Sequence, residues 1–148
     1  MGERNRIYLA DSVYLGHVNI QIRGNDCAIT IGHDSYFNGG RMVAAGKANY
    51  IEIGEECLFS DNIEIWASDT HDIYDEKGET INAPRPIRIG NKVWVGSGVV
   101  VLKGVTVGDG AVIGMGTMVT GDVEARCVVV NSMEMKTVRR NVEWNWKE

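Results

Sequence analysis

Proline, paired cysteines and long apolar runs are all scarce in this sequence of 148 residues. Two prolines leave most of the chain free to pair as strands, because proline cannot donate a backbone hydrogen bond. Cys27, Cys57 and Cys127 are odd in number, far apart and form no Cys-x-x-Cys pair, which argues against a disulfide framework. The chain has no apolar run long enough to cross a bilayer and no signal-peptide stretch at its N-terminus. We therefore expect a cytoplasmic protein without membrane insertion.

Positive charge is also in the minority. The chain has 15 lysines and arginines against 20 aspartates and glutamates, for a net charge of −5. This balance argues against a nucleic-acid-binding surface. The length predicts a single domain over residues 1–148.

A six-residue period organises the stretch from Ile89 to Ala125. Aliphatic residues lead its hexads at Ile89, Val95, Val101, Val107, Ile113, Val119 and Ala125. Small or β-branched residues occupy the fourth place after them, at Val93, Val99, Val105, Ala111, Thr117 and Val123. A short fixed period indicates stacked repeats, with both positions pointing inward and glycines at the corners. The sequence therefore predicts an all-β fold in which three hexads form a triangular coil and the coils stack by parallel pairing. Cys57 occupies such an inward position and is interpreted as a core residue.

Three segments depart from this period. Residues 1–30 predict an atypical first coil, residues 71–86 a loop, and residues 131–148 a C-terminal cap made of a short helix or tail; regular hexads cover 87–130. A four-residue delay before Ile53 predicts a small corner loop at 45–48. Trp144 and Trp146 are expected to pack on the open end of the solenoid or on a neighbouring subunit.

The loop at 71–86 stands out as a candidate functional element. The interval from Ile53 to Ile89 has the length of two coils, and its second half is rich in charge and contains both prolines. A long loop inside a tight repeat is usually functional or disordered, and this one begins at His71. We therefore favour a functional role.

Two motifs near this loop resemble the hexapeptide-repeat acyltransferases, in particular the O-acetyltransferases of capsular and lipopolysaccharide sugars. Ser68-Asp-Thr-His71 resembles the family's Asp-x-x-His segment, and Lys92-Val-Trp94-Val-Gly96 resembles its Val-Trp-[Ile/Val]-Gly hexad. The resemblance covers residues 25–130. It implies a left-handed parallel β-helix, acetyl transfer from acetyl-CoA to a hydroxyl of a sugar or glycan, and a homotrimer with active sites between subunits.

The resemblance also implies catalytic roles for individual residues. His71 matches the general base, a task that suits histidine because its ordinary pKa of about 6.5 lies near working pH. Asp69 or Asp75 could orient the imidazole, and the sequence does not choose between them. Ser97 matches the position whose backbone N–H stabilises the oxyanion. Trp94 matches a tryptophan whose indole N–H lies near the thioester.

Coenzyme A is implied as the co-substrate, with no metal required. Met115 and Thr120 match the positions that contact pantetheine, and Lys136 matches a basic residue near the nucleotide. The chain departs from the family at Gly121, where lysine is common, and at 132–136, which lacks the family's proline.

Three other functions stay open on the sequence alone. An N-acetyltransferase acting on an amino sugar could use the same base. A non-catalytic scaffold would suit the altered C-terminal segment. A zinc carbonic anhydrase on the same fold would need three histidine ligands, two of them close in sequence, whereas His17, His33 and His71 are the only histidines and lie far apart.

Overall fold

The computed structural model describes residues 2–145 and shows a solenoid of fourteen parallel strands. The strands are β1 (Arg6–Leu9), β2 (Tyr14–Asn25), β3 (Ala28–Ile31), β4 (Tyr36–Lys47), β5 (Tyr50–Ile53), β6 (Leu58–Phe59), β7 (Ile63–Trp66), β8 (Ile87–Ile89), β9 (Trp94–Val95), β10 (Val100–Leu102), β11 (Thr106–Val107), β12 (Val112–Ile113), β13 (Met118–Val119) and β14 (Val128–Val129). No helix occurs among the described residues, so none of them forms a helix that could span a membrane. The all-β prediction is confirmed.

The strands line three faces of a prism, which the chain visits in turn. The first face is the sheet β1-β3-β5-β8-β11. The second face contains the N-terminal halves of β2 and β4, followed by β6, β9, β12 and β14. The third face contains the C-terminal halves of β2 and β4, followed by β7, β10 and β13.

Coil length changes along the solenoid. Ile31 pairs with Ile53, a step of 22 residues, whereas Ile89 pairs with Val107, a step of 18. Between them, Ile53 pairs directly with Ile89, 36 residues later, so the interval contains one coil and a long insertion. The insertion begins after β7, where the chain turns from the third face to the first.

Inward-pointing aliphatic residues form one continuous core. All the leading and fourth-place residues of the hexads from Ile89 to Val123 are buried, as predicted; the leading residue Ala125 is exposed, because the coil above it is missing. Cys57 is 2% exposed, which confirms its place in the core, and burial raises the pKa of its thiol. Phe37 and Phe59 stack across two coils with their ring centroids 4.6 Å apart.

The early coils differ from the sequence expectations at one corner. The first coil has the same 22-residue step as the second, so it is atypical only in its exposure, as at Ile7, which is 53% exposed at the open end. The corner loop expected at 45–48 is wrong, because β4 continues to Lys47 and only Ala48 turns, with a φ of +51°. The extra residues lengthen a strand on the third face.

The described part of the C-terminal segment is an exposed tail in the isolated chain. Residues 131–145 contain neither helix nor strand, and Trp144 is 83% exposed. Asn131, the first residue of this segment, attaches to the coils, donating to Met118 O and accepting from Met118 N. The other tryptophan of this prediction, Trp146, lies outside the described residues.

We expect Phe59→Ala to lower the free energy of unfolding by about 3–5 kcal/mol, because it leaves a cavity beside Phe37. Chemical denaturation measures this change. Phe59→Leu keeps most of the volume and should cost less than half as much. Equal costs for the two variants would contradict a tightly packed ring stack.

Candidate active site

The two ends of the long insertion, residues 67–86, are joined by a backbone hydrogen bond at its base. Ala67 O accepts from Arg85 N at 3.1 Å and from the Asn49 side-chain amide at 2.9 Å. Asn49 is buried in the preceding coil, and in the following coil Gly104 N donates to Pro86 O at 3.1 Å. The insertion therefore leaves the solenoid from a base fixed on both sides.

The chain turns outward just before His71. Ser68 is buried, and its hydroxyl accepts from Thr70 N at 3.0 Å. Thr70 has a φ of +64°, a conformation that is unusual for a β-branched residue and that marks local backbone strain. The strained turn thus immediately precedes the histidine that the sequence singled out.

The outer part of the insertion is an ordered hairpin. Tyr74 and Thr80 form an antiparallel bridge, and Ile81 N donates to Ile73 O at 2.9 Å. The carboxylate of Asp75 accepts from the backbone N–H groups of Lys77 and Glu79, closing the tip. Ile73, Tyr74 and Ile81 are all more than half exposed, so the hairpin presents apolar side chains to the outside.

A network of three side chains holds the two arms of the insertion together. Lys103 Nζ, from the next coil, donates to Asp69 Oδ2 at 2.5 Å and to Asn82 O at 2.6 Å. The Asn82 amide donates to Asp69 Oδ2 and to His71 O, each at 2.9 Å, and its oxygen accepts from Ile73 N at 2.7 Å. The backbone on both sides of the histidine is thereby fixed to the solenoid.

The imidazole of His71 projects from this framework into the open. It is exposed, and within residues 2–145 it makes no hydrogen bond. Asp69 bonds to Lys103 and Asn82, and Asp75 bonds to the hairpin tip, so neither predicted partner contacts the ring. In the isolated chain both carboxylates hold the backbone of the insertion.

The environment of Asp69 favours its ionised form. The hydrogen bond from Lys103 is the main reason why the pKa of Asp69 lies below its ordinary value; the bond from Asn82 and the charge of Arg85 act in the same direction. The carboxylate–ammonium pair therefore persists at pH values where an ordinary aspartate begins to protonate.

Trp94 and Ser97 lie on another part of the prism. Trp94 belongs to β9 on the second face and is 52% exposed. Ser97 lies at the corner between the second and third faces, where Gly96 N donates to Ile113 O and Gly98 N donates to Asp61 O. The N–H of Ser97, between them, has no acceptor within the described part of the chain. The corner geometry thus leaves this donor available.

The two predicted parts of the active site do not meet within one chain. The insertion that carries His71 leaves the corner between the third and first faces, which is opposite the second face in a triangular prism. Trp94 lies on that second face. Trp94 and Ser97 are therefore neighbours at the second face and its corner, whereas His71 lies at the corner between the third and first faces.

The residues expected to bind coenzyme A are accessible but dispersed. Met115 is 78% exposed at a corner, and Thr120 lines a cavity of about 200 Å³ at the C-terminal end of the coils. Gly121 borders the same cavity, with nothing within 4 Å of the place where a side chain would begin. Lys136 lies in the exposed tail.

Sequence reasoning missed Asn82, Lys103 and Arg85. Lys103 follows Val101 and Leu102 directly, and a lysine that is only 14% exposed needs a partner for its charge. That placement was the one available signal. Asn82 gave none, because its partners Asp69 and His71 lie across the two arms of the insertion. Arg85 gave none, because its side chain has no polar partner among residues 2–145.

His33 is engaged in a separate surface cluster. Its Nδ1 lies 2.8 Å from Asp34 Oδ2, and its Nε2 lies 2.5 Å from Glu55 Oε2. The hydrogen bond with Asp34 is the main cause that raises the pKa of His33, and Glu55 adds to it. In residues 2–145 no three histidine, cysteine or carboxylate side chains are grouped as a metal site.

Comparison with known proteins confirms the resemblance to hexapeptide-repeat acyltransferases. Residues 86–121 match the family described as bacterial transferase hexapeptide (six repeats). A polysialic acid O-acetyltransferase of Neisseria meningitidis is 30% identical over 118 residues, which cover 65% of this chain and 54% of that protein. One of Escherichia coli O1:K1 / APEC is 37% identical over 134 residues, covering 86% of this chain and 43% of the relative. The chain thus spans about half the length of these curated relatives.

Solved structures show the same architecture. The polySia-specific acetyltransferase NeuO aligns with 99% of this chain and 76% of its own, with a TM-score of 0.70 and 29% identity. A galactoside acetyltransferase in complex with coenzyme A aligns with 84% of this chain and 60% of its own, with a TM-score of 0.63 and 26% identity. The fold is therefore the hexapeptide-repeat β-helix.

We expect Lys103→Met to loosen the insertion while leaving the core folded. Because the lysine lowers the pKa of Asp69, its removal should move that pKa up toward the ordinary value. The stabilising effect of a lowered carboxylate pKa is present above the ordinary pKa and is lost as pH falls through the folded-state value. The variant should therefore lose its loop contacts at a higher pH than the wild type.

Carboxyl NMR titration and limited proteolysis across pH measure the two effects. Lys77→Met is the matched control, because it removes a lysine from the exposed hairpin tip. An unchanged Asp69 titration and unchanged cleavage in Lys103→Met would contradict the network.

Proposed function

We propose that this chain is an acetyl-CoA-dependent O-acetyltransferase that acetylates a hydroxyl of a sugar or glycan. The observation that carries this proposal is the placement of His71 at a strained turn of a rigidly anchored insertion in a hexapeptide-repeat β-helix. The two curated relatives are named for polysialic acid, which favours a sialylated glycan as the acceptor.

His71 acts as the general base in the proposed reaction. Its imidazole removes the proton of the acceptor hydroxyl as the hydroxyl oxygen attacks the thioester carbonyl of acetyl-CoA. The C–S bond then breaks, and the sulfur leaves with that proton as the thiol of coenzyme A. The anchored backbone supports this role, because a base must be held within hydrogen-bond reach of its substrate.

Ser97 and Trp94 stabilise the oxyanion formed on the carbonyl oxygen. The backbone N–H of Ser97 makes no hydrogen bond within residues 2–145, so it can donate to the oxyanion without first breaking one. The indole N–H of Trp94 supplies a second donor from three residues away. Fixed donors of this kind usually give the largest single contribution to acyl transfer.

Coenzyme A lies along the later coils in this proposal. The galactoside acetyltransferase structure holds coenzyme A on a related fold, and here Met115 and Thr120 are exposed where pantetheine contacts are expected. Lys136 binds the phosphates in this proposal, because it is an exposed cation in the tail that follows the cavity beside Gly121.

A homotrimer completes the site by joining two apolar surfaces. An outward ladder runs the full height of the second face, and its members pair in register: Tyr14, Tyr36, Leu58, Trp94, Val112 and Val128. The hairpin of the insertion exposes Ile73, Tyr74 and Ile81. A cyclic trimer joins different surfaces of neighbouring subunits, so the hairpin of one copy can cover the ladder of the next. That contact brings His71 of one subunit toward Trp94 of another.

We expect His71→Ala to lower kcat by about 10²–10⁴-fold, the usual contribution of a general base. Release of the coenzyme A thiol with oligosialic acid as acceptor measures the rate. Calorimetry should show unchanged coenzyme A affinity. Trp94→Phe, which removes only one donor, should cost about tenfold, or about 1.4 kcal/mol.

His17→Ala is the matched control for the base, because His17 lies on β2, coils away from the insertion. It should retain wild-type turnover. A His71→Ala variant that keeps most of its activity would overturn the mechanism while leaving the fold intact.

We expect Leu58→Glu and Ile81→Glu each to dissociate the trimer, because each buries a charge in the apolar contact. Light scattering at micromolar concentration gives the mass. Thr106→Glu places the same charge on the first face and should leave the trimer intact. A trimer that survives both apolar substitutions would rule out this interface.

A further inference from the structure

A second recess lies beside the anchored base of the insertion. It has a volume of about 360 Å³ and is lined by Ile81, Asn82, Ala83, Arg85 and Lys103. Asn82 belongs both to this recess and to the network that holds the His71 backbone. A group bound in the recess would therefore contact the side chain that holds the His71 backbone.

The two cations of the recess differ in how their charges are balanced. Lys103 is 14% exposed, and its ammonium is paired with Asp69 and bonded to Asn82 O. Arg85 is exposed, and among residues 2–145 its guanidinium has neither a hydrogen bond nor an ion pair. Arg85 is therefore the cation of the recess that has no direct polar partner, and its charge acts on Asp69 only from a distance.

The backbone of Arg85 is restricted, and its guanidinium lies against the solenoid without a polar partner among residues 2–145. Both prolines of the chain flank it, as Pro84 and Pro86, which restricts the backbone on either side. Pro84 packs on Gly46, where an added Cβ would lie 2.8 Å from Pro84 Cγ. The guanidinium lies against Gly104, with Arg85 Cζ 3.0 Å from the Cβ position of that glycine. A side chain at 104 would push the guanidinium away.

We propose that Arg85 binds the carboxylate of an acidic sugar acceptor in this recess and so orients the acceptor hydroxyl toward His71. A planar guanidinium pairs with a planar carboxylate through two parallel hydrogen bonds. In a chain with a net charge of −5, a polyanionic acceptor needs such a local cation to approach. This assignment rests on the proposed acetyl transfer for the role of His71, but the binding itself does not.

Binding of defined oligosaccharides tests the proposal without any need for turnover. The probes are a short sialic acid oligomer and the same oligomer with its carboxyl groups reduced to alcohols, each titrated by calorimetry. The variants are Arg85→Gln, Arg85→Lys and, as a matched loss of charge from the same insertion, Lys77→Gln. Coenzyme A is titrated separately, because its phosphates are the other anions that an arginine could bind.

We expect Arg85→Gln to lower the affinity for the acidic oligomer tenfold or more, which is the scale of a charge-assisted hydrogen bond. Arg85→Lys should fall between it and the wild type, since it keeps charge but loses the paired geometry. Lys77→Gln should bind normally. The reduced oligomer should bind weakly to every variant, and coenzyme A should bind equally to all.

Three results would overturn the assignment. The first is a wild type that binds neither oligomer or binds both equally. The second is an Arg85→Gln variant that loses coenzyme A and keeps the acidic oligomer, which would assign the arginine to a phosphate. The third is a Lys77→Gln variant that loses as much affinity for the acidic oligomer as Arg85→Gln does. That result would show that any positive charge on the insertion, and not a specific site at Arg85, attracts the oligomer. A protein that binds the acidic oligomer through Arg85 yet transfers no acetyl group would instead refute only the proposed reaction.

Discussion

Parallel pairing between successive coils is the constraint on which the rest of this structure depends. Each strand must meet the strand one coil later in register, so every coil has to return the chain to the same face at the same height. The structure permits steps of 22 residues early and 18 residues later, because the extra residues lengthen strands that turn a corner. Turning residues recur at equivalent corners, as at Asp34, Glu56 and Lys92, each with a positive φ.

The same constraint decides where a functional insertion can be placed. An excursion from mid-strand would break a ladder on both sides, whereas one from a corner disturbs only a turn. Residues 67–86 leave at such a corner, and Ile53 still pairs with Ile89 beneath them. The corner one coil later supplies Lys103, so the ladder that was preserved also provides the anchor. A rigid repeat can thereby hold His71, the base proposed above, on an extended loop.

The sequence predicted what is periodic and local, and it failed where distant residues meet. The hexads after Ile89 could be predicted because every inward position needs a small or aliphatic side chain that fits the core. All of these positions except Ala125 are buried. The segment 45–48 was misread because a four-residue delay looks the same in sequence whether it forms a loop or lengthens a strand; in the structure it lengthens β4, and Gly46 gives room to Pro84. Asp69 was expected to serve His71, yet its partner Lys103 lies 34 residues away, a distance that no local pattern encodes.

The separation of His71 from Trp94 follows from the shape of the prism. The insertion begins at the edge opposite the second face, and its hairpin turns back at Gly78. The hydrogen bond from Arg85 N to Ala67 O joins its two ends. To reach its own second face the insertion would have to cross a whole neighbouring face. A second copy presents its second face directly, and the apolar ladder that includes Leu58 and Trp94 requires a cover in water. If one histidine and one tryptophan act on one thioester, they must therefore come from different subunits, and oligomerisation becomes a condition of the chemistry.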